Sequence, residues 1–275
     1  MQTLTILSNK GGVGKTFFAV NLAIQLAKTG KRVSLLDGDV QGPSLMTYLE
    51  PKGKYLNDYL FKDAAFEECT QNYQTELNLD TPFFVVHSNP SADAIEDILN
   101  FNEPEAVSML QRLIKIKKIL SDEPYNTDYL IIDSSPGLSF TTLNLTVLAN
   151  VFLFVVKVSN ADLFGTAEMI KALRKYLKFK TFIVANQVPT RFFSDSKRKD
   201  DLSCLVKEKL RGKVAQDLSF LGWLPIDMDL LEDEFEGALD HLLTSSYRRE
   251  IFSLTRPSHH FSISVAEISQ RLFEE

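Results

Sequence analysis

Residues 3–16 read TLTILSNKGGVGKT, an apolar run of strand length followed by a turn with three glycines and then by Lys15 and Thr16. The residues after this turn have the apolar spacing of a helix, so the segment predicts a strand–turn–helix unit. Glycines let the backbone approach a phosphate group, and successive N–H groups at a helix N-terminus form an anion site. In such a loop Lys15 would reach the β- and γ-phosphates and the Thr16 hydroxyl would ligate Mg²⁺. The segment therefore predicts a nucleotide-phosphate site.

The glycine pattern is a variant of the general P-loop. The general pattern requires glycine at position 9, where this chain has Asn9. The pattern Lys-Gly-Gly-x-Gly-Lys-Thr is present in full from Lys10 onward. In this it resembles the ParA/MinD family of deviant Walker A ATPases. The resemblance extends from Thr3 to about Leu272 and is weakest over 50–125 and 187–245.

The resemblance implies ATP and Mg²⁺ as cofactors and a homodimer in the ATP state. Lys10 of each subunit would reach the phosphates held by the other, in a role like that of an arginine finger. Hydrolysis would be slow until a protein partner stimulates it. The catalytic residues would be Lys10, Lys15 and Asp39. The residues implied to contact the nucleotide through the loop are Gly11, Gly12, Val13, Gly14, Lys15, Thr16 and Phe17.

Short apolar runs alternate with helical patterns along the chain, which is typical of βαβ units. We expect an α/β, doubly wound, mostly parallel sheet with helices on both faces, as in Rossmann-like P-loop NTPases, forming a single domain of residues 1–275. Strands are predicted at 4–7, 33–36, 83–86, 129–132, 151–156, 182–185 and 220–224. Helices are predicted at 15–28, 44–49, 57–61, 105–120, 166–177 and 265–273. The polar stretch 187–202 predicts an exposed loop.

Acidic residues close two of the predicted strands. Asp37 and Asp39 follow the second strand, and Asp133 follows the wholly apolar run 129–132. Ligands bind at the carboxyl ends of strands in open α/β sheets, and an acid after such a strand is typical of a Walker B site. The resemblance implies that Asp39 orients the attacking water, and that Thr16, Asp37 and Asp133 are the metal ligands. Solvated loop carboxylates, or a cap at Asp133, remain the alternative.

Recognition of the base rests on two residues at strand ends. Asn186 follows the run 182–185, and a side-chain amide can pair with both donor and acceptor atoms of adenine. The resemblance places an adenine-binding asparagine at Asn186 and a proline bordering the base at Pro225. An ordinary turn asparagine is the alternative. The chain lacks the Asn-Lys-x-Asp pattern that specifies guanine, which favours ATP.

Composition limits the class of protein. Apolar residues make up 44% of the 275 residues, and the formal net charge is −6, so nucleic-acid binding would need a local basic patch. The two cysteines, Cys69 and Cys204, form no CxxC pair, which fits a reducing compartment. No run approaches the roughly 20 apolar residues of a membrane span. We expect a cytoplasmic protein without a direct membrane anchor.

The predicted helix 166–177 and the residues just after it form a basic stretch. Lys171, Arg174, Lys175, Lys178 and Lys180 lie there with no acidic residue among them. Such a patch can neutralise DNA phosphates without reading the base sequence. The ParA-like branch of the family would position or segregate a cargo, either DNA or a large cellular assembly, on such a surface. A plain solvated helix face is the alternative.

Three other functions remain open. The stretch Asp39-Val40-Gln41-Gly42-Pro43-Ser44 is similar to the Mrp branch, which carries iron–sulfur clusters, but that branch uses a CxxC pair that this chain lacks. An ATP-dependent biosynthetic enzyme on the same fold would need a substrate site that the sequence does not reveal. A scaffold that binds ATP without hydrolysis is disfavoured by the intact Lys10, Lys15 and Asp39.

Overall fold

The computed structural model describes residues 1–99, 103–192, 196–214, 218–244 and 248–274. Its strands are β1 (Gln2–Leu7), β2 (Val33–Gly38), β3 (Thr70–Asn72), β4 (Phe83–Val86), β5 (Tyr129–Ser134), β6 (Val151–Lys157), β7 (Lys180–Pro189) and β8 (Ser219–Ile226). Its helices are α1 (Lys15–Lys28), α2 (Leu56–Phe61), α3 (Phe66–Cys69), α4 (Ala92–Leu99), α5 (Glu103–Ser121), α6 (Phe140–Thr146), α7 (Asn160–Arg174), α8 (Ser196–Val214), α9 (Met228–Thr244), α10 (Phe252–Thr255) and α11 (His260–Glu274). Short 3₁₀ turns lie at Leu45–Thr47 and Thr190–Phe192.

The described strands form one sheet in the order β3-β4-β2-β5-β1-β6-β7-β8. All neighbouring pairs are parallel except β3 with β4. The expected doubly wound, mostly parallel α/β fold is confirmed. The single-domain assignment stays a prediction.

Alternate residues of the central strands enter cores on opposite faces. Along β6, Leu153 and Val155 pack into the core that contains α1, α10 and α11. Phe152, Phe154 and Val156 pack into the core beneath α7 and α8. Because both faces are covered, β6 is apolar from Val151 to Val156, and a run of this kind makes a strand predictable from sequence. The carboxyl ends of the central strands, where the glycine-rich turn lies, form the edge that carries the candidate site.

Some predicted boundaries were wrong. The helix predicted at 44–49 is only the turn Leu45–Thr47, and the helix predicted at 166–177 is α7, which begins at Asn160 and ends at Arg174. Ser159 starts α7 because its side chain accepts a hydrogen bond from the Asp162 backbone N–H, as an N-cap does. The loop predicted at 187–202 contains the end of β7 and the first residues of α8.

Candidate functional site

The glycine-rich turn connects β1 to α1 and requires glycine at two positions. Gly12 and Gly14 have φ values of +68° and +79°, a region that side chains rarely adopt. A Cβ at position 14 would also lie 2.4 Å from the side-chain nitrogen of Asn186. The Gly137 backbone N–H donates to the Ser8 carbonyl at 2.8 Å, which joins the turn to the loop after β5. The predicted cradle residues are therefore together at the start of α1.

Lys15 and Thr16 both bond to the carboxylate of Asp133. The Lys15 ammonium lies 2.7 Å from Asp133 Oδ1, and Lys15 and Asp133 are both buried. The Thr16 hydroxyl donates to Asp133 Oδ2 at 2.6 Å and accepts from the Ser44 hydroxyl at 2.9 Å. The structure thus brings three predicted residues, from the turn and from β5, into one hydrogen-bonded group.

Asp37 lies beside Asp133 in the sheet, because β2 and β5 are neighbours and these two residues are register partners. Its carboxylate accepts hydrogen bonds from the backbone N–H groups of Asp39 at 3.1 Å and Leu45 at 3.3 Å. Burial raises the pKa of Asp37 well above its usual range, and the Asp133 carboxylate raises it further. Asp37 therefore holds the loop after β2 through these two hydrogen bonds. It also lies beside Asp133, the other carboxylate that was predicted to bind the metal.

Asp39 is half-buried and lines the cleft in front of the turn. Its Oδ1 atom accepts from the Ser135 hydroxyl at 2.9 Å and from the Gly42 N–H at 3.2 Å. Burial raises the pKa of Asp39, while Lys15 and the Ser135 hydrogen bond oppose that shift. Lys10 lines the same cleft and its side chain is exposed.

The end of the cleft where contacts to the base were predicted lies beside β7 and β8. The cleft has a volume of about 590 Å³, within the range of small-molecule sites. Phe17, Asn186 and Pro225, all predicted, are among its walls. The Asn186 amide nitrogen donates to the Val13 carbonyl at 2.7 Å, and its oxygen accepts from the Gln187 N–H at 2.8 Å. Both ends of this amide therefore bond to backbone, and the nitrogen braces the glycine-rich turn through Val13.

The donor atoms suit Mg²⁺, because a hard cation prefers oxygen ligands such as those of Thr16 and Asp133. In the described residues, no group of three or more His, Cys, Asp or Glu side chains could hold a metal ion by itself. Mg²⁺ in nucleotide sites takes one or two protein ligands and completes its shell with phosphates and water. The residues therefore fit a metal that binds together with a nucleotide.

Several residues in or beside the cleft were not predicted as site residues. Ser44 and Ser135 bond directly to Thr16 and Asp39, as described above. The other unpredicted residues named here line the cleft: Tyr48, Lys157, Gln187, Leu230, Leu231, Arg249, Glu250 and Phe261. The segments 44–48 and 249–250 are linked, since the Arg249 N–H donates to the Thr47 carbonyl at 2.8 Å. No sequence signal pairs segments so distant in the chain. The contact of Ser135 with Asp39 could have been found only once β2 and β5 were known to be neighbours with Asp37 opposite Asp133.

The basic stretch differs from the prediction in two ways. The helix ends at Arg174, so Lys178 lies in the loop before β7 rather than on the helix. The Arg174 guanidinium donates to the Thr181 hydroxyl at 2.7 Å and lies 5.7 Å from the Phe179 ring centroid. Arg174 is therefore engaged in packing, whereas Lys171, Lys175 and Lys178 are exposed.

Among the described residues, no helix is long and apolar enough to span a bilayer.

This chain matches one family model and several curated relatives. The family model AAA_31, described as an AAA domain, matches residues 1–183. The sporulation initiation inhibitor protein Soj of Bacillus subtilis is 27% identical over 175 residues, covering 63% of this chain and 65% of Soj. The iron–sulfur cluster carrier protein of Clostridium perfringens is 26% identical over 238 residues, covering 84% of this chain and 78% of that protein. Soj and three other curated relatives are each matched over 63–66% of their length.

Solved structures share the whole fold. The septum site-determining protein MinD of Pyrococcus horikoshii, complexed with Mg-ADP, superposes with a TM-score of 0.71. The match covers 98% of this chain and 95% of MinD at 17% identity, which shows a common fold. The family model covers more than half of the chain and includes the turn, Asp39 and Asp133. This chain belongs to the ParA/MinD family of P-loop ATPases.

Proposed function

We propose that this chain is an ATP-dependent dimerising switch that hydrolyses ATP slowly and positions or segregates a cargo. The observation that carries the proposal is the contrast between two lysines of one turn. Lys15 is buried against Asp133, while Lys10 is exposed at the cleft. A buried lysine is suited to the phosphates held by its own subunit. An exposed lysine beside the same cleft is suited to a nucleotide held by a second copy.

In this proposal the side chains divide the chemistry of hydrolysis. A water molecule attacks the γ-phosphorus, the bond to the β–γ bridging oxygen breaks, and ADP and phosphate leave. Asp39 orients the water, and Lys15 with Lys10 of the second subunit balances the charge on the transferring group. Thr16 and Asp133, with Asp37 behind them, would hold Mg²⁺, which when bound neutralises the β- and γ-phosphates. Asn186, Pro225 and Phe17 border the base.

The dimer can be tested with Lys10→Ala. We expect this variant to bind ATP with an affinity within about threefold of the wild type and to lose ATP-driven dimerisation. Light scattering measures the dimer, and a fluorescent ATP analogue measures binding. Lys115→Ala, a change at an exposed lysine of α5, is the matched control and should dimerise normally. Full dimerisation of Lys10→Ala with ATP would contradict the role of Lys10 across the interface.

A second function has one observation in its favour. The iron–sulfur cluster carrier of Clostridium perfringens is matched over more of both chains than Soj is. Against it, Cys69 is buried and Cys204 is exposed, so the two do not form a ligand pair. Anaerobic reconstitution with iron and sulfide tests this function. Absence of a bound chromophore, with an ATP dimer present in the same sample, would exclude the carrier function and favour the positioning switch.

A further inference from the structure

Ser135 and Asp39 join the loops that follow two neighbouring strands. The register of β2 with β5 pairs Asp37 with Asp133 and Gly38 with Ser134. One residue beyond the last pair, the Ser135 hydroxyl donates to Asp39 Oδ1 at 2.9 Å. Ser135 is 2% exposed, so water does not compete for this hydrogen bond.

The two oxygens of the Asp39 carboxylate have different surroundings. Oδ1 accepts from Ser135 and from the Gly42 N–H, which holds this oxygen against the protein. The hydrogen bonds described for Asp39 leave Oδ2 without a protein donor, and Asp39 lines the cleft. A carboxylate fixed at one oxygen presents the other in a defined direction. This is the arrangement that orientation of a water molecule needs.

We propose that Ser135 is a positioning residue for ATP hydrolysis, fixing Oδ1 of Asp39 so that Oδ2 faces the attacking water. The inference rests on the proposed function, since it assigns Ser135 a part in the same hydrolysis. Without the hydroxyl, Oδ1 retains only the longer bond from Gly42, and the carboxylate can rotate. Ser135 does not line the cleft, so its loss should leave ATP binding intact.

The neighbouring Ser134 supplies a matched control. Its hydroxyl is also buried, but it donates to the Ile6 carbonyl at 2.8 Å rather than to Asp39. Ser134→Ala and Ser135→Ala therefore each remove one buried hydroxyl of the same size. A purely structural effect on the sheet edge should be similar in the two variants, whereas an effect through Asp39 belongs to Ser135 alone.

The experiment measures phosphate release as a function of ATP concentration, with Mg²⁺ present. We expect Ser135→Ala to lower kcat about tenfold, the order expected from losing one hydrogen bond to a charged group, with KM within about twofold. Ser134→Ala should keep kcat within about twofold, and Ser135→Thr, which retains the hydroxyl, should recover most of the rate. In an Asp39→Ala background, Ser135→Ala should cause no further loss.

Three results would overturn the inference. The first is a kcat for Ser135→Ala equal to or above that of the wild type. The second is a loss of the same size in Ser134→Ala, and the third is a further loss from Ser135→Ala in the Asp39→Ala background. Failure of the proposed function would give a different result. The wild type itself would then bind ATP without releasing phosphate, and the positioning role of Ser135 would be excluded as well.

Discussion

The ammonium of Lys15 lies 2.7 Å from a carboxylate oxygen of Asp133, and the two side chains are 7% and 0% exposed. The positive charge of the lysine that would bind the phosphates is thus balanced by the carboxylate that would bind the metal. In the proposed function, a nucleotide would draw Lys15 away from Asp133, and the carboxylate would then be available to a cation that binds with the phosphates. The ion pair would in this way couple nucleotide binding to metal binding.

The same ion pair predicts a cost to stability. Asp133→Asn leaves the Lys15 charge buried without its partner, and breaking a buried pair from one side costs about 3 kcal/mol or more. Urea unfolding followed by the fluorescence of Trp223, the single tryptophan, measures the free energy of unfolding. Asp200→Asn, at an exposed site on α8, is the control and should change it by less than about 0.5 kcal/mol. A loss below about 1 kcal/mol in Asp133→Asn would mean that the pair is solvated.

A contact between α7 and the turn leads to a second prediction. A Cβ at Gly165 would lie 2.2 Å from the Asn9 side-chain nitrogen and 2.5 Å from its Cγ. Gly165→Ala therefore has to push Asn9, which immediately precedes Lys10, and overpacking of this kind typically costs 1–3 kcal/mol. We expect nucleotide affinity to fall about tenfold, measured by titration with a fluorescent ATP analogue.

The double variant Asn9→Gly/Gly165→Ala provides the control for this prediction. Removing the Asn9 amide makes room for the added methyl group and restores the glycine of the general P-loop pattern. We expect its nucleotide affinity to return to within about threefold of the wild type. If the double variant binds as weakly as Gly165→Ala, the loss has another origin in α7.

Most of the sheet was predictable because strands that are buried on both faces contain apolar runs, as at 129–132. The short polar strand β3 was not predicted. The helices α8 and α9 were not predicted, because neither carries an apolar stripe that clearly marks a buried face. Helix α8 is strongly charged, and of the side chains described along it, Val206 and Leu210 are buried. Helix α9 exposes large apolar residues, including Phe235, so its apolar spacing does not report a core face. A weak or outward-facing apolar stripe gives no periodic signal of a packed helix.

The candidate site divides in a similar way. Lys15, Thr16 and Asp133 were predictable because a local motif and a strand end specify them. The contact of Gly165 with Asn9 and that of Ser135 with Asp39 depend on how distant segments pack. Only the second follows from strand register, since Asp37 and Asp133 are partners in the sheet.

A buried histidine predicts the response of stability to acid. His87 is buried and its Nε2 atom lies 3.0 Å from the Tyr73 hydroxyl. Burial lowers the pKa of His87 to about 4. Between the unfolded-state pKa near 6.5 and about 4, the unfolded chain binds a proton at this residue and the folded chain does not. Stability from this source is therefore complete above pH 6.5 and is lost as the pH falls toward 4, by about 3 kcal/mol in total.

His87→Gln tests this dependence, because glutamine can still bond to Tyr73 but does not titrate. We expect the variant to lose about 3 kcal/mol less than the wild type between pH 7 and pH 4, in urea unfolding at a series of pH values. His260→Gln changes an exposed histidine and should follow the wild-type curve. Parallel curves for His87→Gln and the wild type would show that His87 is protonated in the folded protein.

The exposed lysines after α7 predict how an ATP-state dimer would bind DNA. Lys175→Glu/Lys178→Glu should weaken binding and lower the slope of log affinity against log salt by about 2, because each lost phosphate contact removes about 0.9. The Asp39→Ala background should prolong the ATP state by slowing hydrolysis, and fluorescence anisotropy with a duplex of arbitrary sequence measures the affinity. Lys115→Glu/Lys118→Glu places the same charge change on α5 and should leave the slope unaltered. Equal effects in the two variants would reflect net charge alone, and absence of DNA binding by a confirmed dimer would assign the surface to a protein partner.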